Sequence, residues 1–127
     1  MEINPSNNTP IFEQITNQVK YSVAVGAVRP GDLLPSIRQL AMDLLINPNT
    51  VARAYRDLER EGVLEMRRGL GAYVAPGAVP ICKDARRKLI SEKVRQVMEE
   101  AADASFSMEE IEKLVRQELD RIVRKRR

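Results

Sequence analysis

Residues 36–61 read SIRQLAMDLLINPNTVARAYRDLERE, and this stretch decides the fold. Ser36 is a helix-capping residue, and Gln39 three places on completes a capping box, in which two side chains satisfy backbone N–H groups that have no helical partner. Ile37, Leu40, Ala41, Leu44 and Leu45 then follow at helical spacing. The pattern breaks at Ile46-Asn47-Pro48. Asn47 is a second good cap, and Pro48 suits a first helical position, where its missing N–H is not needed. A further helix therefore starts at once and runs to Glu61, with Gly62 closing it. Two short helices joined by so tight a turn make a helix-turn-helix.

Toward the N-terminus, Thr9-Pro10 predicts an earlier helix with Thr9 as cap and Pro10 at its first position. Phe12, Ile15, Val19 and Val23 share one face of it, and Gly26 ends it. Arg29-Pro30-Gly31-Asp32 is a turn, and Leu33-Leu34 a short extended piece before Pro35. Toward the C-terminus the period changes after Gly62. Val63 to Met66 reads as a strand, Arg67-Arg68-Gly69-Leu70-Gly71 as a turn and Ala72 to Ala75 as the returning strand, a hairpin of the kind called a wing. Pro76-Gly77-Ala78-Val79-Pro80 reads as a linker. Beyond it Ile90, Val94, Val97, Met98 and Ala101 form one helical stripe. Ser107, with Glu110 as its box partner, opens another helix carrying Ile111, Leu114, Val115, Leu119 and Ile122. The expected fold is mainly α with a small β-hairpin: a winged helix-turn-helix over residues 1–77 and a two-helix dimerisation tail over residues 78–127.

Composition narrows the function by what it lacks. The 127 residues carry a net charge of +3, no His and one Cys. That argues against the usual zinc sites and against triads or dyads built on His. No Gly-rich phosphate loop of the Walker type is present. Neither an enzyme activity nor a cofactor or metal is expected. No apolar run approaches the ~20 residues of a membrane-spanning helix, so no membrane partner is expected. Met1-Glu2-Ile3-Asn4-Pro5 is neither basic nor apolar, and no secretion signal is expected. Cys82 has no second cysteine to pair with, which points to a reducing, cytoplasmic setting; it reads as a small, partly buried residue without a role. The mild positive charge favours a polyanionic partner.

On the third helix, Val51, Ala54, Tyr55 and Leu58 face one side and Asn49, Arg53, Arg56 and Arg60 the other. A recognition helix presents its N-terminal residues to base edges, so Asn49, Thr50 and Arg53 are the first candidates for reading double-stranded DNA. Arg56 is placed to reach the phosphate backbone. Arg60, far along the helix beside Glu59 and Glu61, is not selected. Arg38 stands at the second position of its helix, where the positive end of the helix dipole disfavours a cation unless an anion lies nearby. That marks Arg38 as a phosphate contact, with Ser36 beside it as cap and further contact. In the hairpin turn, Gly69 lets the backbone approach a minor groove and Arg68 can enter it. In the tail, Ile90, Val94, Val97, Met98, Ile111, Val115, Leu119 and Ile122 form a face that a two-helix hairpin cannot bury alone. A second copy of the chain is the simplest cover, giving a two-fold homodimer. A protein-interaction module, with the tail docking another partner, is the alternative reading.

The residues Gly31 to Ala41, Asn47 to Tyr55 and Leu58 to Gly62 together resemble the GntR family of bacterial regulators, and within it the short YtrA-like branch. The resemblance spans roughly residues 10–75, with several separated motifs in the right order. It implies a DNA-binding repressor, with DNA contacts at Arg38, at the helix start from Asn47 to Thr50, and at Arg68 and Gly69. It also implies a two-helix dimerisation tail and control of neighbouring transporter genes, while the two-fold symmetry of a dimer calls for an inverted-repeat operator. Many relatives carry an arginine where this chain has Ala52, and the usual glycine of the helix-turn-helix turn is replaced by Leu45. About fifty residues follow the linker, too few for the separate effector domain of larger members, so a small-molecule effector stays open.

Overall fold

The computed structural model describes residues 1–127. The elements run α1 (Ile11–Ala24), α2 (Ile37–Leu44), α3 (Pro48–Arg60), β1 (Leu64–Arg67), β2 (Gly71–Val74), α4 (Ala78–Asp103) and α5 (Met108–Lys125). They form two compact units, Met1–Arg87 and Lys88–Arg127.

In the first unit α3 is the hub, packed against α1, α2 and β1. Its four inward residues Val51, Ala54, Tyr55 and Leu58 are at most 1% exposed. They meet Ile15, Val19 and Val23 of α1, Leu40 and Ala41 of α2, and Leu64 of β1 in one aliphatic core. Burying such side chains is the main favourable term in folding, at roughly 1.5–3 kcal/mol for each large one.

Both helices of the helix-turn-helix start as their caps require. Ser36 Oγ accepts the Gln39 N–H at 3.0 Å, and Asn47 Oδ1 accepts the Asn49 N–H at 2.8 Å. The capping box at Ser36 is only half made, because the Gln39 amide donates instead to Asp43 Oδ1 one turn on, at 2.8 Å. The turn between the helices forms without glycine. Leu45 adopts the left-handed conformation, φ 57° and ψ 46°. Its N–H donates to Met42 O, and the Ile46 N–H to Ala41 O, the paired bonds of a Schellman ending. Leu45 was expected on the buried stripe of α2; it is 90% exposed, because the left-handed turn carries it away from the core. The end of α3 is built the same way around Gly62, with φ 84°.

Two expectations are corrected. Thr9 does not cap α1: Pro10 does, in an extended conformation and without a side-chain bond, while the Thr9 N–H goes to Asn7 Oδ1. The segment 76–80 is not a linker, since α4 already begins at Ala78. Pro80 is tolerated there because N–H groups in the first helical turn have no acceptor to lose. Ala78 and Cys82 are fully buried in the core of the first unit.

The wing is an antiparallel pair in register from Leu64↔Val74 to Arg67↔Gly71. Residues 31–34 lie along β2, with Gly31 N–H donating to Val74 O, Val74 N–H to Asp32 O and Leu34 N–H to Ala72 O. In the second unit Ser107 and Glu110 form the complete capping box of α5. An open apolar groove of about 520 Å³ runs between the facing sides of α4 and α5. Ile90, Val94, Val97, Leu119 and Ile122 line it and are 45–55% exposed.

Candidate nucleic-acid interface

Ser36, Arg38, Asn47, Asn49, Arg53, Arg56, Arg68 and Gly69 are all exposed, and Thr50 is half-buried. Three contacts join the elements that carry them. The Tyr55 hydroxyl donates to Pro35 O at 2.7 Å, fastening the start of α2 to the middle of α3. Burial pushes the Tyr55 pKa from 10.0 up to about 12, so the donor keeps its proton. Glu59 Oε2 accepts the Met66 N–H at 3.1 Å, fastening the wing to the last turn of α3. Lys20 and Glu61 form an ion pair at 2.6 Å between α1 and the end of α3. The candidate residues therefore ride on one braced body.

The arginines divide by whether they are already engaged. Arg60 pairs with Asp57 at 3.2 Å. Arg67 pairs with Glu65 at 3.4 Å and lies 4.3 Å from the centre of the Tyr73 ring. Arg53 stacks on Phe12 of α1, 3.6 Å from the ring centre. The side chains of Arg38, Arg56 and Arg68 have no ion pair, hydrogen bond or ring contact within the chain, and in the same unit those of Arg29 and Arg87, away from these elements, have none either. The helix starts show the same division. α1 and α5 carry Glu13 and Glu109-Glu110 in their first turns, whereas α2, α3 and α4 carry no acid there, and the start of α4 is buried at Ala78. Two exposed positive dipole ends, unrelieved by carboxylates, flank the unpaired cations and suit phosphate.

Ser36 and Asn47 use their side-chain oxygens as caps, so their part in the surface is chiefly to expose those helix ends. The side chain of Asn49 has no partner within the chain. At the wing tip, Leu70 N–H closes on Arg67 O, with Arg68 and Gly69 in between. Gly69 has φ 77°, the position at which a type II turn requires glycine. An added Cβ there would meet nothing within 4 Å, so the constraint is conformational rather than steric.

Residues 11–74, the span from α1 to the end of the wing, match the sequence profile of the bacterial regulatory proteins of the gntR family. The chain belongs to that family. It is similar to the HTH-type transcriptional repressor YtrA of Bacillus subtilis (strain 168), 41% identical over 114 residues, which are 90% of this chain and 85% of that protein. Among solved structures, a transcriptional regulator from Oenococcus oeni superposes with a TM-score of 0.74 at 29% identity, over 92% of this chain and 97% of that one. YtrA from Sulfolobus acidocaldarius, a GntR-family transcription factor, gives a TM-score of 0.56 at 32% identity, over 98% and 97% of the two chains. The GntR chain described here is thus a DNA-binding transcriptional regulator of the short, YtrA-like type rather than an enzyme. No helix is long and apolar enough to cross a membrane.

Three structural partners of this GntR surface were not singled out from the sequence. Phe12 reads as a core residue on a stripe, yet it is the platform under Arg53. Tyr55 and Glu59 brace the surface through backbone acceptors and donors that no spacing rule reveals. Cys82 is fully rather than partly buried. Burial pushes its thiol up, with Glu61 adding to the shift and Lys20 opposing it. A thiol so placed stays protonated and unreactive.

Proposed function

We propose that the chain is a homodimeric repressor that binds an inverted-repeat operator in double-stranded DNA. The observation that carries this reading is that an unpaired arginine stands on each of the three candidate elements, Arg38 on α2, Arg56 on α3 and Arg68 at the wing tip. In this reading Asn49, Thr50 and Arg53 meet base edges in the major groove. Arg38 and Arg56, with the helix starts capped by Ser36 and Asn47, hold phosphates. Arg68 enters the minor groove beside Gly69. Stacking on Phe12 occupies one face of the Arg53 guanidinium and leaves the in-plane donors free to reach a base. Residues 1–77 supply the DNA-reading part and residues 78–127 the dimerisation part, with Ala78 and Cys82 of α4 also completing the core of the first unit. The repressor assignment follows YtrA, which is named one, and the site of action is the cytoplasm. On the resemblance alone, the regulated genes are those of a neighbouring transporter.

The test is a selection from random duplex DNA at fixed, stated salt, followed by titration of the winning site. A two-fold site with half-sites about one helical turn apart, or a multiple of that, is expected. Arg53→Ala should change the preferred base. Arg38→Ala should weaken all sequences alike and reduce the salt slope by about 1. Equal affinity for selected and random duplexes would sink the proposal.

A further inference from the structure

The charges of the second unit are sorted by end. Residues 96–112 hold six carboxylates, Glu99, Glu100, Asp103, Glu109, Glu110 and Glu112, and no cation. Residues 121–127 hold five cations, Arg121, Arg124, Lys125, Arg126 and Arg127, and no carboxylate. The short connection between Asp103 and Met108 folds α5 back beside α4, so the carboxylates gather where the two helices join. The cations gather at the other end. Glu110 is held in the capping box and Arg121 pairs with Glu118 at 2.8 Å. The remaining members of both clusters have no opposite charge bonded to them within the chain. Like charges crowded at each end repel one another. The opposite charges one helical turn away, Arg95, Lys113 and Arg116 by the acidic end and Asp120 by the basic end, offset this only in part, because each cluster outnumbers them.

The apolar groove joins the two ends, and a two-fold dimer can cover it in only two senses. With the axis along the hairpin, acidic end meets acidic end and basic end meets basic end. With the axis across it, each acidic end lies against the basic end of the other copy. Covering the apolar stripe is favourable in either sense, so it does not by itself choose between them. Charge does, because like charges juxtaposed at an interface are costly and complementary ones set its register.

We propose that a second copy of the chain covers this groove in the antiparallel sense, acidic end to basic end. The inference rests on the dimer reading above and adds its direction. Salt weakens the preference, since the charges are exposed and screened within about 8–10 Å at ordinary ionic strength.

Sedimentation equilibrium of the full chain at low salt tests it with three variants. One reverses the acidic end (Glu99→Lys, Glu100→Lys, Glu112→Lys), one the basic end (Arg124→Glu, Lys125→Glu, Arg126→Glu), and one carries all six changes. Either single-end reversal should weaken association about tenfold or more. The six-fold variant should return to within about threefold of the wild type, because complementarity is restored; that recovery also shows that the reversed helices still fold. Single-end reversals that leave association unchanged, or a six-fold variant that does not recover, would overturn the antiparallel sense while leaving the dimer standing. A wild-type chain that remains monomeric at every concentration overturns the dimer reading itself.

Discussion

The apolar stripe of α3 and the stripe that α4 and α5 share are written in the same period and meet opposite fates. Val51, Ala54, Tyr55 and Leu58 are 0–1% exposed, while Val94, Val97 and Leu119 are 52–55% exposed. Both patterns satisfy the helical rule equally. The difference is that α3 is surrounded by α1, α2 and β1, whereas the hairpin has only itself to offer. Periodicity states that a face must be covered. It does not state whether the cover lies in the same chain.

Substitutions can break this contrast or sharpen it. The largest effect is expected at the closed core. Leu58→Ala should lower unfolding stability by about 2–5 kcal/mol in urea titration, because a fully enclosed site cannot collapse around the void. On the open face, Ile122→Asp should leave the unfolding of the first unit unchanged while weakening self-association by about a hundredfold, since dimerisation would bury a carboxylate without a partner. Equal loss of stability from both substitutions would erase the distinction between the two faces.

A smaller effect is expected at Tyr55→Phe. Removing the hydroxyl leaves Pro35 O without its donor and should cost about 1 kcal/mol. The same variant has a pH signature. The unfolded chain loses this proton near pH 10.0, whereas the folded chain holds it to about 12. The unfolded state therefore binds fewer protons in that window, and stability, complete below pH 10, should decline between about pH 10 and 12. Tyr55→Phe should remove that part of the decline in thermal melts taken across the window. Smallest is Leu45→Gly. Its side chain is 90% exposed and its backbone left-handed, so relief of strain should raise stability by about 0.5–1 kcal/mol.

Much of the fold was legible because its determinants are local. Ser36, Asn47 and Ser107 each cap the helix expected of them, since a cap needs only a hydroxyl or amide oxygen and an N–H two or three residues on. Thr9 shows the limit of that rule. A suitable residue stood in place, but Pro10 took the capping position. The linker expected at 76–80 failed for a different reason. Pro and Gly there signal a turn, yet only burial of Ala78 and Cys82 in the core reveals that α4 starts immediately. Candidate DNA contacts were legible as positions and not as states, since Arg53 and Arg56 have the same sequence signature and only one of them rests on a ring.

By itself the sequence determined the helix-turn-helix at residues 36–61, the wing after Gly62 and the capped start of α5 at Ser107, because caps and periods are properties of neighbours along the chain. Only the tertiary structure decided which arginines are spoken for, that Tyr55 and Glu59 brace the surface, and that the tail keeps an open groove. Those depend on which side chains residues distant in sequence bring within a few ångströms of one another, and no one-dimensional pattern encodes that encounter.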